Sequence, residues 1–537
     1  MTALSTLAGV AIFAAAARLI ARLPVRQPAK LHDALAHRIM PWVAGAVAVA
    51  ATLITWGGID PVAVYHDEAA YLLQAAIFAT GRWMGSPPPI PAFFEQFHVL
   101  LTPGLAPKYP PGFAFALVPG TWLHLPALIP LLLTGLTAGM AFALARRVAG
   151  GVVALLAIAL WLAAPGNLRF RAGFFSEILT SLLWVAGWWA LLRWRDTSRP
   201  AWLLALAACI GFGAITRPLT MLAFAIPVGV VVLRDVIARR AWRPLAAAMV
   251  LGTAIVALMP LHNSRVTGTW RASPYARYTS LYLPFDHMGF GLDSTPAQVA
   301  LPADMQDLSA YFGNAHAKHT ARRLPAIALQ RVRAVLNDMG GPPALAAATL
   351  VVVGLVGAPP AILFATGTVV LLLLAHLPYA HFNNWTLYYL EAFPVVALLM
   401  ALGVARVGRL LLGAAGDAAD ASRRLDLLLS ASALVLLCVL PFRVHAARRE
   451  HLGNAAAQLY FHQLLADVPA PAVVFVHYGP RHVSHYSLIQ NPADYDTAPY
   501  WIVYDRGAEN AELLSKAGGR TAWIYDEERG AITPLTR

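Results

Sequence analysis

Apolar residues along this chain fall in long blocks that are separated by shorter polar stretches. The blocks run for roughly 17 to 22 residues, which is the length that an α-helix needs to cross a bilayer. We predict about twelve such spans, near residues 3–20, 41–58, 124–145, 151–165, 178–193, 201–216, 218–233, 244–261, 343–357, 360–376, 387–405 and 425–441. The pattern predicts an α-helical polytopic membrane protein whose helices form a bundle.

Two long loops interrupt the apolar pattern. The loop at 59–123 contains a helix-like run from Asp67 to Thr80 and then proline-rich turns, which stiffen the backbone. The loop at 262–342 is polar and aromatic and ends at 322–333, where basic residues alternate with an apolar face. That alternation predicts a helix lying along the membrane interface.

The C-terminal stretch, residues 442–537, lacks the composition of the spans. Three short runs read as strands and one as a helix, at 473–476, 501–504, 521–525 and 509–517. This order predicts a small α/β domain. We therefore divide the chain into a transmembrane region, 1–441, and an α/β domain, 442–537.

Composition supports the membrane assignment. Only 12% of the 537 residues are charged and 58% are hydrophobic, whereas soluble domains carry about 25% charged residues. The net charge of +13 comes from Lys and Arg in alternate short loops, such as Arg146 and Arg147, so nucleic-acid binding is a poor interpretation. By the positive-inside rule those loops are cytoplasmic. The two long loops and the C-terminal domain are then extracytoplasmic, and in a bacterium the protein lies in the inner membrane with these parts in the periplasm.

The carboxylate pair Asp67 and Glu68 is the first candidate site, because charge at a membrane edge is scarce and usually functional. In a helix, Asp67, Tyr71 and Gln74 share one face. A positioned carboxylate there would accept the proton of an attacking hydroxyl group. The structural alternative is that the acids only cap the helix start, where they are favoured.

Cations on the same side form a second group. Arg171 is followed by Glu177, Arg217 lies in a tight outer hairpin, and Lys108 begins the rigid segment Lys108-Tyr109-Pro110-Pro111-Gly112. Arginine pairs with phosphate in a bidentate way, and lysine contacts it as a point charge. The alternatives are anchoring at lipid headgroups and an ordinary loop lysine.

Histidines offer further candidates. His381 and Tyr388 flank an outer loop, where they either line a sugar site or satisfy helix ends. The spacing of His477, His482 and His485 matches no common metal motif. The sequence requires no cofactor and leaves a divalent metal ion open.

The combination of Asp67-Glu68 with Tyr71, then Lys108 to Gly112, then Arg171 with Glu177, resembles the GT-C glycosyltransferases, in particular the protein O-mannosyltransferase and lipid A aminoarabinose transferase group. The resemblance covers roughly residues 41–405 in architecture, and its motifs lie within 60–120 and 165–220.

The resemblance implies a polyprenyl-phosphate sugar as donor and an extracytoplasmic glycan, lipid or protein as acceptor. It makes Asp67 the catalytic carboxylate with Glu68 as its neighbour, and Lys108, Arg171 and Arg217 the contacts of the donor phosphate. Glu177 becomes a second acidic position. Direct attack by the acceptor would invert the anomeric centre. A polytopic transporter or lipid flippase is the alternative, although the chain shows no internal repeat.

Overall fold

The computed structural model describes residues 2–22, 29–341, 343–412 and 418–535. The described chain is mostly helical. Its helices are α1 (Thr2–Arg22), α2 (Ala29–Ala36), α3 (Met40–Trp56), α4 (His66–Ala79), α5 (Gly112–Trp122), α6 (Leu128–Ala149), α7 (Gly151–Ala163), α8 (Pro165–Arg171), α9 (Ser176–Thr197), α10 (Pro200–Ala214), α11 (Pro218–Arg239), α12 (Trp242–Val256), α13 (Leu258–Thr267), α14 (Pro274–Tyr282), α15 (Ala303–Lys318), α16 (Leu324–Gly340), α17 (Ala344–Leu355), α18 (Pro360–Ala375), α19 (Phe393–Leu412), α20 (Ala418–Leu465) and α21 (Asn510–Ser515).

Two small sheets complete the fold. In the first loop β1 (Val99–Leu100) pairs antiparallel with β2 (Ala106–Pro107). The C-terminal sheet contains β3 (Ala472–His477), β4 (Tyr500–Tyr504), β5 (Thr521–Asp526) and β6 (Ala531–Pro534), in the order β4-β3-β5-β6. Strand β3 runs parallel to β4 and β5, and β6 runs antiparallel to β5. The predicted small α/β unit with its three strands and one helix is confirmed, and β6 is an additional strand.

Membrane-spanning length is reached by part of the bundle. Among the described residues five helices are long and apolar enough to cross a membrane, or up to eight if each bent pair counts as one span. Several predicted spans form shorter apolar helices, such as α10 and α18, which begin at Pro200 and Pro360. The structure therefore shows a polytopic helical bundle, and the number of about twelve is not confirmed.

The outer surface of the bundle is apolar. Along α11 the side chains of Leu222, Ile226, Val230, Leu233 and Ile237 are each about half exposed or more. Their spacing of three and four residues places them on one stripe of the helix. A continuous exposed apolar stripe is typical of a surface that contacts lipid.

Small residues let the helices approach closely. A Cβ atom on Gly45 of α3 would lie 2.8 Å from the carbonyl oxygen of Gly135 in α6. A Cβ on Gly354 of α17 would overlap the carbonyl oxygen of Leu399 in α19. Close backbone contact at glycine is a common way to pack helices in a membrane, where the hydrophobic effect between helices is weak.

The two long loops and the C-terminal sheet assemble on one side of the bundle. The ring of Phe94 from the first loop lies 5.6 Å from the Trp501 ring of β4. The hydroxyl of Tyr504 donates to Asp304 of α15 at 3.0 Å. Helix α20 runs without a break from Ala418 to Leu465, so residue 442 lies inside a helix and the division at 441/442 stays a prediction.

Candidate active site

The first-loop helix α4 is fixed at its start by Glu68. The carboxylate accepts the backbone N–H groups of Val64 and Tyr65 and, from across the site, that of Phe174, each at 2.9 Å. Glu68 is 1% exposed. Burial raises the pKa of its carboxyl group to about 7, although the three backbone donors act in the opposite direction. Both carboxylate oxygens are occupied by backbone groups, so the capping alternative describes Glu68 better than a catalytic role.

Asp67 has a different environment, although it is the adjacent residue. Its side chain is 46% exposed and accepts a hydrogen bond of 2.5 Å from the hydroxyl of Tyr109. Burial lowers the pKa of the nearby His98 well below its ordinary value, helped by the cation of Lys108. His98 is therefore neutral and lies 3.9 Å from the carboxylate, so Asp67 has no charged partner there.

The predicted polar stripe on α4 converges on Tyr109. The ring of Tyr71 stacks on the Tyr109 ring with centroids 4.5 Å apart, and the amide of Gln74 donates to the Tyr109 carbonyl at 2.9 Å. Together with the bond to Asp67, all three residues of the stripe contact Tyr109. The spacing of four and three residues thus presents one face of α4 to the segment that begins at Lys108.

The short β1–β2 pair and Gly112 place that segment. The backbone N–H of Lys108 donates to the carbonyl of His98 at 2.9 Å, directly after the paired strands. At the other end, the N–H of Gly112 donates to the carbonyl of Ile215 at 2.9 Å. A Cβ on Gly112 would lie 2.9 Å from that carbonyl oxygen, so only glycine permits this approach. The contact brings Lys108 and Arg217 into one region.

Lys108 is enclosed by aromatic rings and by one acid. Its ammonium group lies 3.5 Å from Asp286 and 4.4 Å and 5.2 Å from the ring centroids of Tyr275 and Tyr278. The residue is only 3% exposed. Burial lowers the pKa of Lys108, whereas Asp286 and Asp67 act in the opposite direction.

A second ion pair lies where α9 and α11 begin. Arg217 donates to the carboxylate of Glu177 and lies 5.3 Å from the Tyr388 ring. Tyr388 stacks on His381 with centroids 4.5 Å apart, and His381 is hydrogen bonded to the hydroxyl of Tyr389 at 2.9 Å. The Tyr388 ring also lies 5.8 Å from the ring of Tyr379, whose hydroxyl donates to Asp286, so aromatic contacts connect the two ion pairs.

Arg171 lies deeper than the other predicted cations. It is 1% exposed, donates to Asn167 at 2.5 Å, and its guanidinium lies 4.5 Å from the Trp161 ring. Within the described residues its two terminal nitrogens have no hydrogen-bond partner, and the nearest opposite charge is Glu391. The structure thus separates Arg171 from the surface where Asp67 is exposed.

The C-terminal region contributes the rim of the site. The ring of His66, at the start of α4, is hydrogen bonded to the carbonyl of Ser484 at 2.8 Å. His485 lies within electrostatic range of Asp67, and its ring contacts Tyr311 at 5.0 Å. The histidine-rich segment noted in the sequence therefore lies beside Asp67.

Metal binding finds no support in the described part of the chain. No group of three or more His, Cys, Asp and Glu side chains there is arranged to hold a metal ion. No step of the chemistry below is assigned to a metal.

Most of the site residues predicted from the sequence belong to this network, and five further residues in it were not predicted. The structure joins most of the predicted residues through direct contacts, namely Asp67, Tyr71, Lys108, Tyr109, Glu177, Arg217, His381 and Tyr388. The missed residues are Asp286, Tyr275, Tyr379, His98 and Glu391. No motif surrounds Asp286 in the sequence, so no local signal could have drawn attention to it.

Solved structures of other proteins resemble this fold, whereas sequence comparisons find no match. No protein-family model matches the sequence, and no curated protein matches it significantly. The structure of ArnT from Cupriavidus metallidurans bound to undecaprenyl phosphate is similar to this chain, with a TM-score of 0.50 and 15% identity over 92% of this chain and 94% of ArnT. This chain has an ArnT-like fold. The predicted resemblance to the GT-C glycosyltransferases is thereby confirmed for the fold.

Two further structures are similar at lower scores. Apo ArnT from the same organism gives a TM-score of 0.48 at 15% identity, over 91% of this chain and 93% of ArnT. The oligosaccharyltransferase AglB from Archaeoglobus fulgidus, in complex with an inhibitory peptide and a dolichol-phosphate, gives 0.42 at 14% identity, over 91% of this chain and 70% of AglB.

Proposed function

We propose that this protein is a membrane glycosyltransferase that moves a sugar from a polyprenyl-phosphate donor to an extracytoplasmic acceptor. The observation that carries the proposal is Asp67, a half-exposed carboxylate that accepts a hydrogen bond from Tyr109 and lies near the buried cation of Lys108 in an ArnT-like fold. The reaction would take place on the periplasmic side of the inner membrane, where the loops and the C-terminal sheet meet.

Asp67 acts as the general base in this proposal. The acceptor hydroxyl attacks the anomeric carbon while its proton passes to the Asp67 carboxylate. The bond between that carbon and the phosphate oxygen breaks, and polyprenyl phosphate leaves with the bonding electrons. A single displacement of this kind inverts the anomeric centre.

Lys108 and Arg217 would stabilise the leaving phosphate, on which negative charge develops as the bond breaks. Both are buried cations next to Asp67, connected through the aromatic residues between them. Glu177 orients Arg217, and Glu68 holds the start of α4 by its backbone bonds. Arg171 would be a buried charge that interacts with Glu391, and it would not contact the phosphate directly.

The C-terminal domain would select the acceptor. His485 lies within electrostatic range of Asp67, and the adjacent Ser484 carbonyl is hydrogen bonded to His66 at the start of α4, so this segment is placed to contact an acceptor that approaches Asp67. The soluble sheet anchors this segment on the first loop through Phe94 and Trp501.

A reconstituted assay tests the proposal against transport. The purified protein is placed in liposomes with a synthetic polyprenyl-phosphate sugar and a crude cell-envelope fraction as acceptor. The proposal expects release of free polyprenyl phosphate together with a sugar-modified envelope component, detected by mass spectrometry. Movement of the intact lipid between leaflets without cleavage of the sugar–phosphate bond would instead show a flippase and refute the proposal.

A further inference from the structure

The surroundings of Asp286 form a set of donors aimed at an anion. Tyr275 donates its hydroxyl to the carboxylate at 2.8 Å and Tyr379 donates at 3.3 Å. The ammonium group of Lys108 lies 3.5 Å away and His316 lies 3.8 Å away. We call Lys108, Tyr275 and Tyr379 the anion nest.

The nest is assembled from three distant parts of the chain. Lys108 belongs to the first loop, Tyr275 to α14 of the second loop, and Tyr379 to the turn after α18. The hydroxyls of Tyr275 and Tyr379 also lie 3.1 Å apart, so both donors point to the same place. A preformed arrangement of one cation and two hydroxyl donors matches the acceptor oxygens of a phosphate as well as those of a carboxylate.

The carboxylate in the nest comes from the protein itself. Asp286 lies four residues after α14, in a loop, and its side chain is 12% exposed against 4% for Lys108. In this state a donor phosphate cannot reach the ammonium group, because Asp286 and the tyrosine rings enclose it.

We infer that the anion nest binds the phosphate of the lipid donor and that Asp286 is its internal placeholder, which the phosphate displaces. The inference rests on the proposed function and adds Tyr275, Tyr379 and Asp286 to it. Displacement of Asp286 moves the segment after α14 away from Lys108, while Tyr275 of α14 stays in the nest, so binding of the donor and opening of this segment are one event. Without the donor, Asp286 pairs with the buried ammonium group of Lys108. If the nest were empty, that cation would be buried without a partner, which carries a large desolvation cost.

Removing the placeholder charge should strengthen the binding of phosphate. The apparent dissociation constant of a ligand equals the intrinsic constant divided by the fraction of protein whose site is open. If Asp286 fills the nest about nine-tenths of the time, Asp286→Asn binds roughly tenfold tighter. The probe is undecaprenyl phosphate added to the purified full-length protein in detergent, with the dissociation constant measured by native mass spectrometry or microscale thermophoresis.

Asp293→Asn is the matched control, because Asp293 is an exposed aspartate of the same loop that pairs with His287 outside the nest. It should bind undecaprenyl phosphate like the wild type. Asp286→Ala is a second variant that removes the charge and should also bind more tightly. In the Asp286→Asn background, Tyr275→Phe should weaken binding roughly threefold to tenfold, since one hydrogen-bond donor is lost.

Two outcomes distinguish a failure of the placeholder role from a failure of the proposed function. If the wild type binds undecaprenyl phosphate and both Asp286 variants bind it equally or less tightly, Asp286 orients Lys108 as a fixed structural partner and the placeholder role is refuted. If the wild type neither binds undecaprenyl phosphate nor cleaves the sugar donor, the proposed function itself fails and this inference fails with it.

Discussion

Two adjacent acids at the start of α4 show how burial assigns different tasks to the same chemistry. Glu68 is 1% exposed and accepts hydrogen bonds from three backbone N–H groups. The side chain of Asp67 is 46% exposed and accepts one hydrogen bond from the phenol of Tyr109. A carboxylate saturated by backbone donors cannot take a proton from an acceptor without breaking the local fold. We therefore propose Asp67 as the reactive group, with Glu68 supporting it through its backbone hydrogen bonds.

Glu68→Gln tests this division at the level of one residue. The amide offers one acceptor oxygen and turns an NH₂ group towards backbone donors, which should cost about 1–3 kcal/mol of stability. We expect a lower melting midpoint of the purified protein, measured by intrinsic fluorescence, with a smaller loss of turnover than any change at Asp67. Glu512→Gln, an exposed acid of α21, should melt like the wild type. An unchanged midpoint for Glu68→Gln would show that the cap is dispensable.

At the scale of elements, helix α16 departs from its expected role. The sequence predicts an interfacial helix with its basic residues turned to the headgroups, and Arg322, Arg323 and Arg333 are exposed in the structure. Arg331, however, is 1% exposed and donates to the carbonyls of His376 and Tyr379 at 2.6 Å and 2.9 Å. It thereby fixes the turn that presents Tyr379 and His381 to the site.

Arg331→Met should disturb the site from a distance. Loss of the guanidinium removes the donor to the Tyr379 carbonyl and leaves the His376 carbonyl only the N–H of Tyr379, at a cost of about 1–3 kcal/mol. The expected result is a lower melting midpoint together with weaker binding of undecaprenyl phosphate, because Tyr379 loses its support. Arg333→Met, at an exposed position of the same helix, is the control and should leave both quantities unchanged. Normal lipid binding by Arg331→Met would contradict the supporting role.

Elements were predictable where their signal is local, and contacts between distant elements were not. The strands at 473–476, 501–504 and 521–525 follow from short apolar β-branched and aromatic runs. The full length of α20 was missed because Pro441 marks a helix end in a soluble protein, but a membrane bundle tolerates proline inside a helix. Asp286 was missed because Lys108, its partner, lies 178 residues away in sequence.

At the scale of the whole molecule, the C-terminal domain completes the first loop rather than standing apart. Gln458 of α20 donates to the carbonyl of Val64 at 3.3 Å, and Asn454 donates to the hydroxyl of Tyr65 at 3.1 Å. A deletion of 447–537 would remove both supports of the segment before Asp67. Truncation would thus damage catalysis and acceptor binding together, and single substitutions separate them better.

His485→Ala tests the predicted acceptor role of this domain. His485 lies near Asp67, and its ring packs against Tyr311 and Phe312 of α15 rather than against the donor site, so its loss should spare that site. We expect the KM for the acceptor to rise while the dissociation constant for undecaprenyl phosphate stays the same. His477→Ala is the control, since His477 is 58% exposed and pairs with Asp505 within the domain. Unaltered acceptor kinetics in His485→Ala would leave the domain a structural role only.

We propose above all that the protein transfers a sugar from a lipid phosphate and that Asp67 is the base. The most direct measurement is a single-turnover assay, in which wild type and Asp67→Asn are each saturated with a labelled polyprenyl-phosphate sugar before the acceptor is added. Asp67→Asn should fold and bind the lipid normally, yet transfer about 10²–10⁴-fold more slowly, since it lacks a positioned base. Transfer by Asp67→Asn at the wild-type rate would contradict the account.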